Sequence, residues 1–341
     1  MSFVQLLCCN DSYLHSSLCA CLRAKQVFLY DTDFAIRVNY FLWGTLVGII
    51  APEYHAFKEK KKANESRCPH NLAEQNQSEM GIIPPSPLSP SDKQLLLCHT
   101  EQGIATLTLN RPRQYNALSE TLLAALEAAL DEIANDRNVR VVVLTGNGQA
   151  FCAGHDLKEM RANPKHQYYE GLFRRCTEVM MRISRLPQPV IARVHGLAAA
   201  AGCQLVAASD LAVAADTARF AVSGINVGLF CSTPAVALSR NILRKRAFEM
   251  LITGEFVDAK TAMRYGLINS AVPPEELDRA VGNLTNNIVN KSAVAVEMGK
   301  RMFYKQFAYD LETAYEYAGH VMAANMMVED AMNGIDGFLG R

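Results

Sequence analysis

Two short stretches hold the residues best placed to do chemistry, and both are rich in small side chains. The first is Phe151-Cys152-Ala153-Gly154-His155-Asp156-Leu157-Lys158. The second is His195-Gly196-Leu197-Ala198-Ala199-Ala200-Ala201-Gly202-Cys203-Gln204-Leu205. Each follows an apolar, β-branched run and leads into helical spacing. Small residues at a strand-to-helix turn let a ligand come close to backbone N–H groups. Two such N–H groups from separate turns, aimed at one point, would make an oxyanion hole, which stabilises negative charge as it develops on an oxygen.

Turns of this kind need strands before them and helices after them. Residues 104–109 read as a strand stopped by Asn110-Arg111-Pro112. Ser119 is a good N-cap, and Leu122, Leu123, Leu126, Leu130 and Ile133 follow it at helical spacing. Residues 139–144, 190–194 and 211–215 show little alternation, which predicts strands buried on both faces. A helix is expected over residues 167–185, ending before Pro187, and another from the second turn to about residue 209. Beyond Thr233 the pattern is mostly helical, broken at Gly254, Gly266 and Pro273-Pro274, with a last long helix over residues 311–332. Strands alternating with helices in this way predict an α/β fold.

The chain has 341 residues, of which 34 are basic and 34 acidic, and half are hydrophobic. That is the composition of a soluble globular protein. Balanced charge argues against nucleic acid as a partner. None of the ten cysteines has zinc-site spacing, and buried reduced thiols are the expected state. Residues 1–92 read as a poorly ordered leader, and residues 93–341 as the folded domain. The leader's clean apolar run, residues 40–51, falls short of the ~20 needed to span a bilayer, so membrane contact is not expected. The run Lys58-Glu59-Lys60-Lys61-Lys62 reads as solvated, and residues 82–91 form a Pro/Ser linker. The first 30 residues hold only Arg23 and Lys25 against Asp11, a weak match to a mitochondrial presequence.

The order of several motifs resembles the crotonase, or enoyl-CoA hydratase/isomerase, superfamily. Leu109-Asn110-Arg111-Pro112 leads to Asn116-Ala117-Leu118, then Val141-Val142-Val143-Leu144-Thr145-Gly146 and the two turns. Ser209-Asp210-Leu211 and Tyr265-Gly266-Leu267-Ile268 follow. The resemblance spans about residues 93–341. It implies a spiral of β-β-α units, a C-terminal helical trimerisation region, and homotrimers or homohexamers. It implies an acyl-CoA thioester as ligand, with no metal and no further cofactor. The oxyanion-hole N–H groups would be those of His155 and Ala201, with Asp156, Leu157 and Lys158 also at the acyl-CoA site. Lys158 matches a position near the CoA phosphates, and Phe338 and Arg341 match a stretch that contacts a neighbouring subunit's CoA. The resemblance also implies a mitochondrial setting, with the cytoplasm as the alternative.

Hydratases of this family activate water with a pair of glutamates. The matching positions here are Gln204 and Gly224. An amide can hydrogen-bond water but cannot take its proton, and glycine offers no group at all. Asp156, Glu159 and Asp210 are the nearest carboxylates in sequence, and Asp156 is expected to bond turn amides as an Asx motif. The His155 imidazole, Cys231, Ser232 and Asn226 are further polar candidates; a Gly-His-Asp turn also occurs in decarboxylating members of the family. The sequence therefore implies a hydratase-like acyl-CoA protein. Decarboxylation, thioester hydrolysis or isomerisation on the same site remain alternatives, as does a non-catalytic acyl-CoA binder. A lysine-rich first helix that binds RNA in one relative has no counterpart, since residues 119–136 carry Glu120, Glu127, Asp131 and Glu132 and no basic residue.

Overall fold

Apolar alternation in Ile104-Ala105-Thr106-Leu107-Thr108-Leu109 buries Ala105, Leu107 and Leu109, and the segment forms a strand. The computed structural model describes residues 94–340. The leader, the run at 40–51, the linker, five of the cysteines and Arg341 lie outside the described residues. The strands are β1 (Leu96–Glu101), β2 (Ile104–Leu109), β3 (Val141–Gly146), β4 (Ala150–Cys152), β5 (Val190–Val194), β6 (Leu197–Ala199), β7 (Leu211–Ala215), β8 (Arg219–Ala221), β9 (Val257–Asp258) and β10 (Ser270–Val272). The helices are α1 (Glu120–Asn135), α2 (Leu157–Ala162), α3 (His166–Arg185), α4 (Ala201–Ala208), α5 (Ser232–Asn241), α6 (Arg244–Thr253), α7 (Ala259–Tyr265), α8 (Leu277–Val289), α9 (Ala293–Gln306), α10 (Leu311–Met326) and α11 (Glu329–Phe338).

A six-stranded sheet has the order β1-β2-β3-β5-β7-β10, and a four-stranded sheet the order β4-β6-β8-β9. Successive strands alternate between them: β3, β5 and β7 enter the large sheet, and β4, β6 and β8 the small one. Helices return the chain between pairs, which makes the repeated β-β-α unit visible in the topology. The pairings β2–β3, β3–β5, β5–β7, β4–β6 and β6–β8 are parallel. Parallel strands covered on both faces read as continuous apolar runs, and Val141, Val142, Val143 and Leu144 are all buried.

Some boundaries differ from the sequence reading. β3 begins at Val141 rather than residue 139, because its ladder starts where Ile104 pairs with Val141. The expected last helix over 311–332 is two helices. Val328 takes an extended conformation between them, and Glu329 and Asp330 then favour a new helix N-terminus. Ser119 caps α1 as expected, accepting from the Leu122 N–H. Cys98 is exposed, against the expectation of burial, since most of β1 faces solvent. Cys152, Cys176, Cys203 and Cys231 are buried and free. No helix among the described residues is long and apolar enough to cross a membrane.

Candidate functional site

β4 and β6 run parallel with Cys152 paired to Ala198, so both glycine turns leave the C-terminal ends of adjacent strands. Ligands of parallel α/β sheets bind at such ends. Gly154 has φ +99°, and a Cβ there would lie 2.8 Å from the Ala200 Cβ and 3.3 Å from the Ala201 nitrogen. Glycine therefore lets the two turns touch. The small size of Gly202 serves a different end from the ligand approach expected of it: a Cβ there would collide with the Cys152 carbonyl, so it admits close packing of α4 on β4.

The second turn is strained. Ala200 sits at φ 48°, ψ −117°, a region that costs a residue with a Cβ about 1–3 kcal/mol. Its own N–H donates to the Ala221 carbonyl at 2.9 Å. α4 then begins at Ala201 with no side chain capping its first turn, although Ala201, Gly202 and Cys203 are buried. A buried, uncapped helix N-terminus leaves N–H groups needing an acceptor and adds positive potential there.

The first turn is held from one side. The Leu118 N–H donates to the Gly154 carbonyl at 2.7 Å, and the Asp156 N–H donates to the Leu118 carbonyl at 3.1 Å. Alternate peptide groups of an extended chain face opposite sides, so the His155 N–H points away from Leu118. Neither the His155 N–H nor the Ala201 N–H has a protein acceptor among the described residues.

Asp156 acts as the Asx-type cap that the sequence suggests. Its Oδ1 accepts from the Lys158 and Glu159 N–H groups at 3.1 and 3.2 Å, at the start of α2. Its Oδ2 takes a hydrogen bond from Arg111 Nη2 at 2.9 Å. Burial alone would raise the Asp156 pKa, but the Arg111 guanidinium and the capping amides outweigh it and hold the carboxyl below its ordinary value. Leu157 and Lys158 stand exposed beside the turn. The Glu159 Oε2 accepts from the Glu120 N–H at 3.1 Å, so this carboxylate serves the start of α1.

The His155 ring packs edge-on against Phe173 with centroids 5.4 Å apart. Both ring nitrogens are buried and have no hydrogen-bond partner among the described residues. Burial pushes the ring pKa down to about 4, so the imidazole is neutral at physiological pH. Gln204 is 5% exposed, and its Oε1 has no partner among the described residues. The Gln204 N–H donates to the Ala200 carbonyl at 3.0 Å, one turn back at the start of α4.

Gly224 lies in the short 3-10 segment Ser223–Val227. A Cβ there would meet the Leu229 carbonyl at 2.4 Å and the Cys231 Sγ at 2.7 Å. The Gly224 N–H donates to that sulfur at 3.3 Å. Burial raises the Cys231 pKa despite this bond, so the group is a neutral thiol. Asn226 donates to the Gly254 carbonyl, and Ser232 to the Phe230 carbonyl. Asp210 is removed from the turns' chemistry: it is enclosed by Lys300, Tyr304 and the Val190 N–H. Phe338 is 90% exposed at the end of α11. The charged cleft lined by Glu120, Glu127, Arg174, Arg175 and Glu178 includes no residue of either turn.

The pattern of the family described as enoyl-CoA hydratase/isomerase matches residues 99–341. The chain belongs to that family. Enoyl-CoA hydratase domain-containing protein 3, mitochondrial, of Rattus norvegicus is 43% identical over 249 residues, covering 73% of this chain and 83% of the relative. The Homo sapiens protein of the same name is 44% identical over 237 residues, covering 70% and 78%. A short-chain-enoyl-CoA hydratase of Clostridium acetobutylicum is 30% identical over 250 residues, covering 72% and 94%. The crystal structure of human enoyl-CoA hydratase domain-containing protein 3 superposes with a TM-score of 0.71 at 41% identity, covering 72% of this chain and 98% of that one. An enoyl-CoA hydratase of Mycobacterium smegmatis gives 0.72 at 60% identity, covering 72% and 96%. The contacts that Arg111, Leu118 and Phe173 make at this site lie beyond the sequence reading, where Arg111 and Leu118 stand in the strand stop and the family motifs and carry no role; an arginine whose side chain is only 15% exposed needs a partner.

Proposed function

We propose that this protein binds an acyl-CoA thioester and holds its carbonyl oxygen between the N–H groups of His155 and Ala201. The observation that carries the reading is the pair of abutting turns, each with a backbone donor that no protein group among the described residues accepts, one of them at the uncapped start of α4. Hydration, enolisation and decarboxylation beside a thioester all build charge on that oxygen, and one such donor is worth ~3–4 kcal/mol of barrier. Lys158 is exposed beside the first turn, where its ammonium can meet the CoA phosphates.

The chemistry we favour is hydratase-like in its ligand and relies on the oxyanion hole rather than on a glutamate pair. Gln204 cannot take a proton, and Gly224 has no room for a side chain. The same two positions support a second reading, a non-catalytic acyl-CoA binder. Relatives named mitochondrial favour a mitochondrial setting in acyl-CoA and fatty-acid metabolism. α9, α10 and α11 bury no residue and expose Phe303, Phe307, Leu311, Tyr315, Met322 and Phe338, which favours assembly as a homotrimer or hexamer. The domain boundary near residue 92 is part of the same reading.

Incubation with crotonyl-, malonyl- and methylmalonyl-CoA, read by mass spectrometry beside calorimetric binding, tests this. Micromolar binding with turnover of any ester supports the enzyme. Binding without turnover favours the binder. Absence of CoA-ester binding overturns the proposal.

A further inference from the structure

A donor in an oxyanion hole is only as good as its aim, and the aim of the His155 N–H depends on one short bridge. Leu118 and His155 form an isolated parallel bridge outside any strand. Its hydrogen bonds fix the peptide groups on either side of His155, and the His155 N–H is turned outward as a result. A single bridge with no neighbouring ladder has little stiffness of its own.

Arg111 supplies the stiffness. Its Nη1 donates to the Ala117 carbonyl, one residue before Leu118. Its Nη2 donates to Asp156 Oδ2 at 2.9 Å, one residue after His155. One planar guanidinium thus ties together both chains of the bridge. Arg111 and Asp156 are each only 15% exposed, so the bond is shielded from competing water. The backbone of Arg111 is fixed in turn, since its N–H donates to Asn116 Oδ1 at 2.8 Å. Asn116 is fully buried and donates to the Asn147 and Ala150 carbonyls, which ties the loop to β4. The chain of bonds runs from β4 through Asn116 and Arg111 to the turn that follows β4.

We propose that Arg111 is a positioning residue: by forking between the Ala117 carbonyl and the Asp156 carboxylate it sets the direction of the His155 N–H toward the thioester oxygen. The inference rests on the thioester-holding reading above. A lysine cannot replace it, because one ammonium on a flexible stem does not span two acceptors in a fixed plane.

The test compares a CoA thioester with the matching thioether, in which a methylene replaces the carbonyl. Only the thioester has an oxygen for the hole, so the ratio of the two dissociation constants reports the hole and cancels the CoA contacts. Wild type is expected to favour the thioester by about tenfold or more. Arg111→Lys and Arg111→Met are expected to bring the ratio down several-fold while free CoA binds within about twofold of wild type. Isotope-edited infrared spectra of the bound thioester give a second readout: the carbonyl stretch, lowered in wild type, returns toward its solution value in the variants. Should Arg111→Met not fold, Arg111→Lys carries the same comparison. A wild-type ratio near one overturns the thioester-holding reading and this inference with it. A wild-type preference retained in folded variants, with an unmoved carbonyl stretch, overturns the role of Arg111 alone.

Discussion

The Cys231 Sγ fills the space that a side chain at Gly224 would need, and the Gly224 N–H donates to it at 3.3 Å. The glycine is therefore part of a packed contact and not an open seat for a lost carboxylate. Gly224→Glu is expected to lower the melting temperature by several degrees, since overpacking costs about 1–3 kcal/mol. It is expected to add no crotonyl-CoA hydration, alone or with Gln204→Glu. Cys231→Ala in the same chain should recover part of the lost stability, because the sulfur is removed while the Leu229 carbonyl remains. Thermal unfolding and a hydration assay check both points, and an unchanged melting temperature in Gly224→Glu would show that the segment opens freely.

How much of this was legible follows from what each residue does to a pattern. β3, β5 and β7 were readable because buried parallel strands leave unbroken apolar runs. β4 and β6 were not, because three-residue strands carry no period, and Ala150–Cys152 and Leu197–Ala199 were absorbed into the turns. The pairing of His155 with Ala201 came through resemblance. The reason they meet, adjacent parallel strands and a glycine at φ +99°, is a property of topology. The Arg111–Asp156 contact joins residues 45 apart in the chain, a separation that no local spacing rule reaches. Asp156 was read correctly as a turn cap because an Asx motif is local.

His155 gives the fold a pH dependence with a definite sign. Its folded pKa is about 4, against the ordinary 6.5. The unfolded chain therefore takes up a proton before the folded one does. The contribution is fully present above about pH 6.5 and is lost as pH falls toward 4, reaching about 3 kcal/mol. His155→Gln has no ring to protonate and keeps the backbone N–H. Its stability should fall less than that of wild type between pH 7 and pH 4 in urea titrations. Parallel curves would mean that the ring is hydrated in solution.

Lys300 and Asp210 anchor α9 to the body of the domain. The Lys300 Nζ lies 2.6 Å from Asp210 Oδ2 and also donates to the Ile183 and Gln188 carbonyls. Tyr304, one turn further along α9, donates to Asp210 Oδ1 at 2.8 Å. Burial lowers the Lys300 pKa while Asp210 acts against that shift. Removing one member of a buried pair strands the other, at about 3–5 kcal/mol. Lys300→Met should therefore lower stability by that order and increase amide exchange in α9. Tyr304→Phe, which leaves the ion pair intact, should cost about 1 kcal/mol.

Ala200 and Gln204 are both poor choices for stability, which is what a ligand site built into a helix N-terminus would leave behind. Ala200 carries a Cβ at φ 48°, and Gln204 buries an unpaired Oε1. Glycine relieves the first, at the expense of extra freedom in the unfolded chain, for a net gain of about 1 kcal/mol. Gln204→Met removes an unsatisfied buried acceptor, for a similar gain. Each variant is expected to melt higher than wild type. On the thioester-holding proposal each should also bind CoA thioesters more weakly, Ala200→Gly because the Ala201 N–H would be less firmly aimed, and Gln204→Met because the amide next to that turn is removed. A variant that melts higher with unchanged ester binding would place its residue outside the site, whatever its strain.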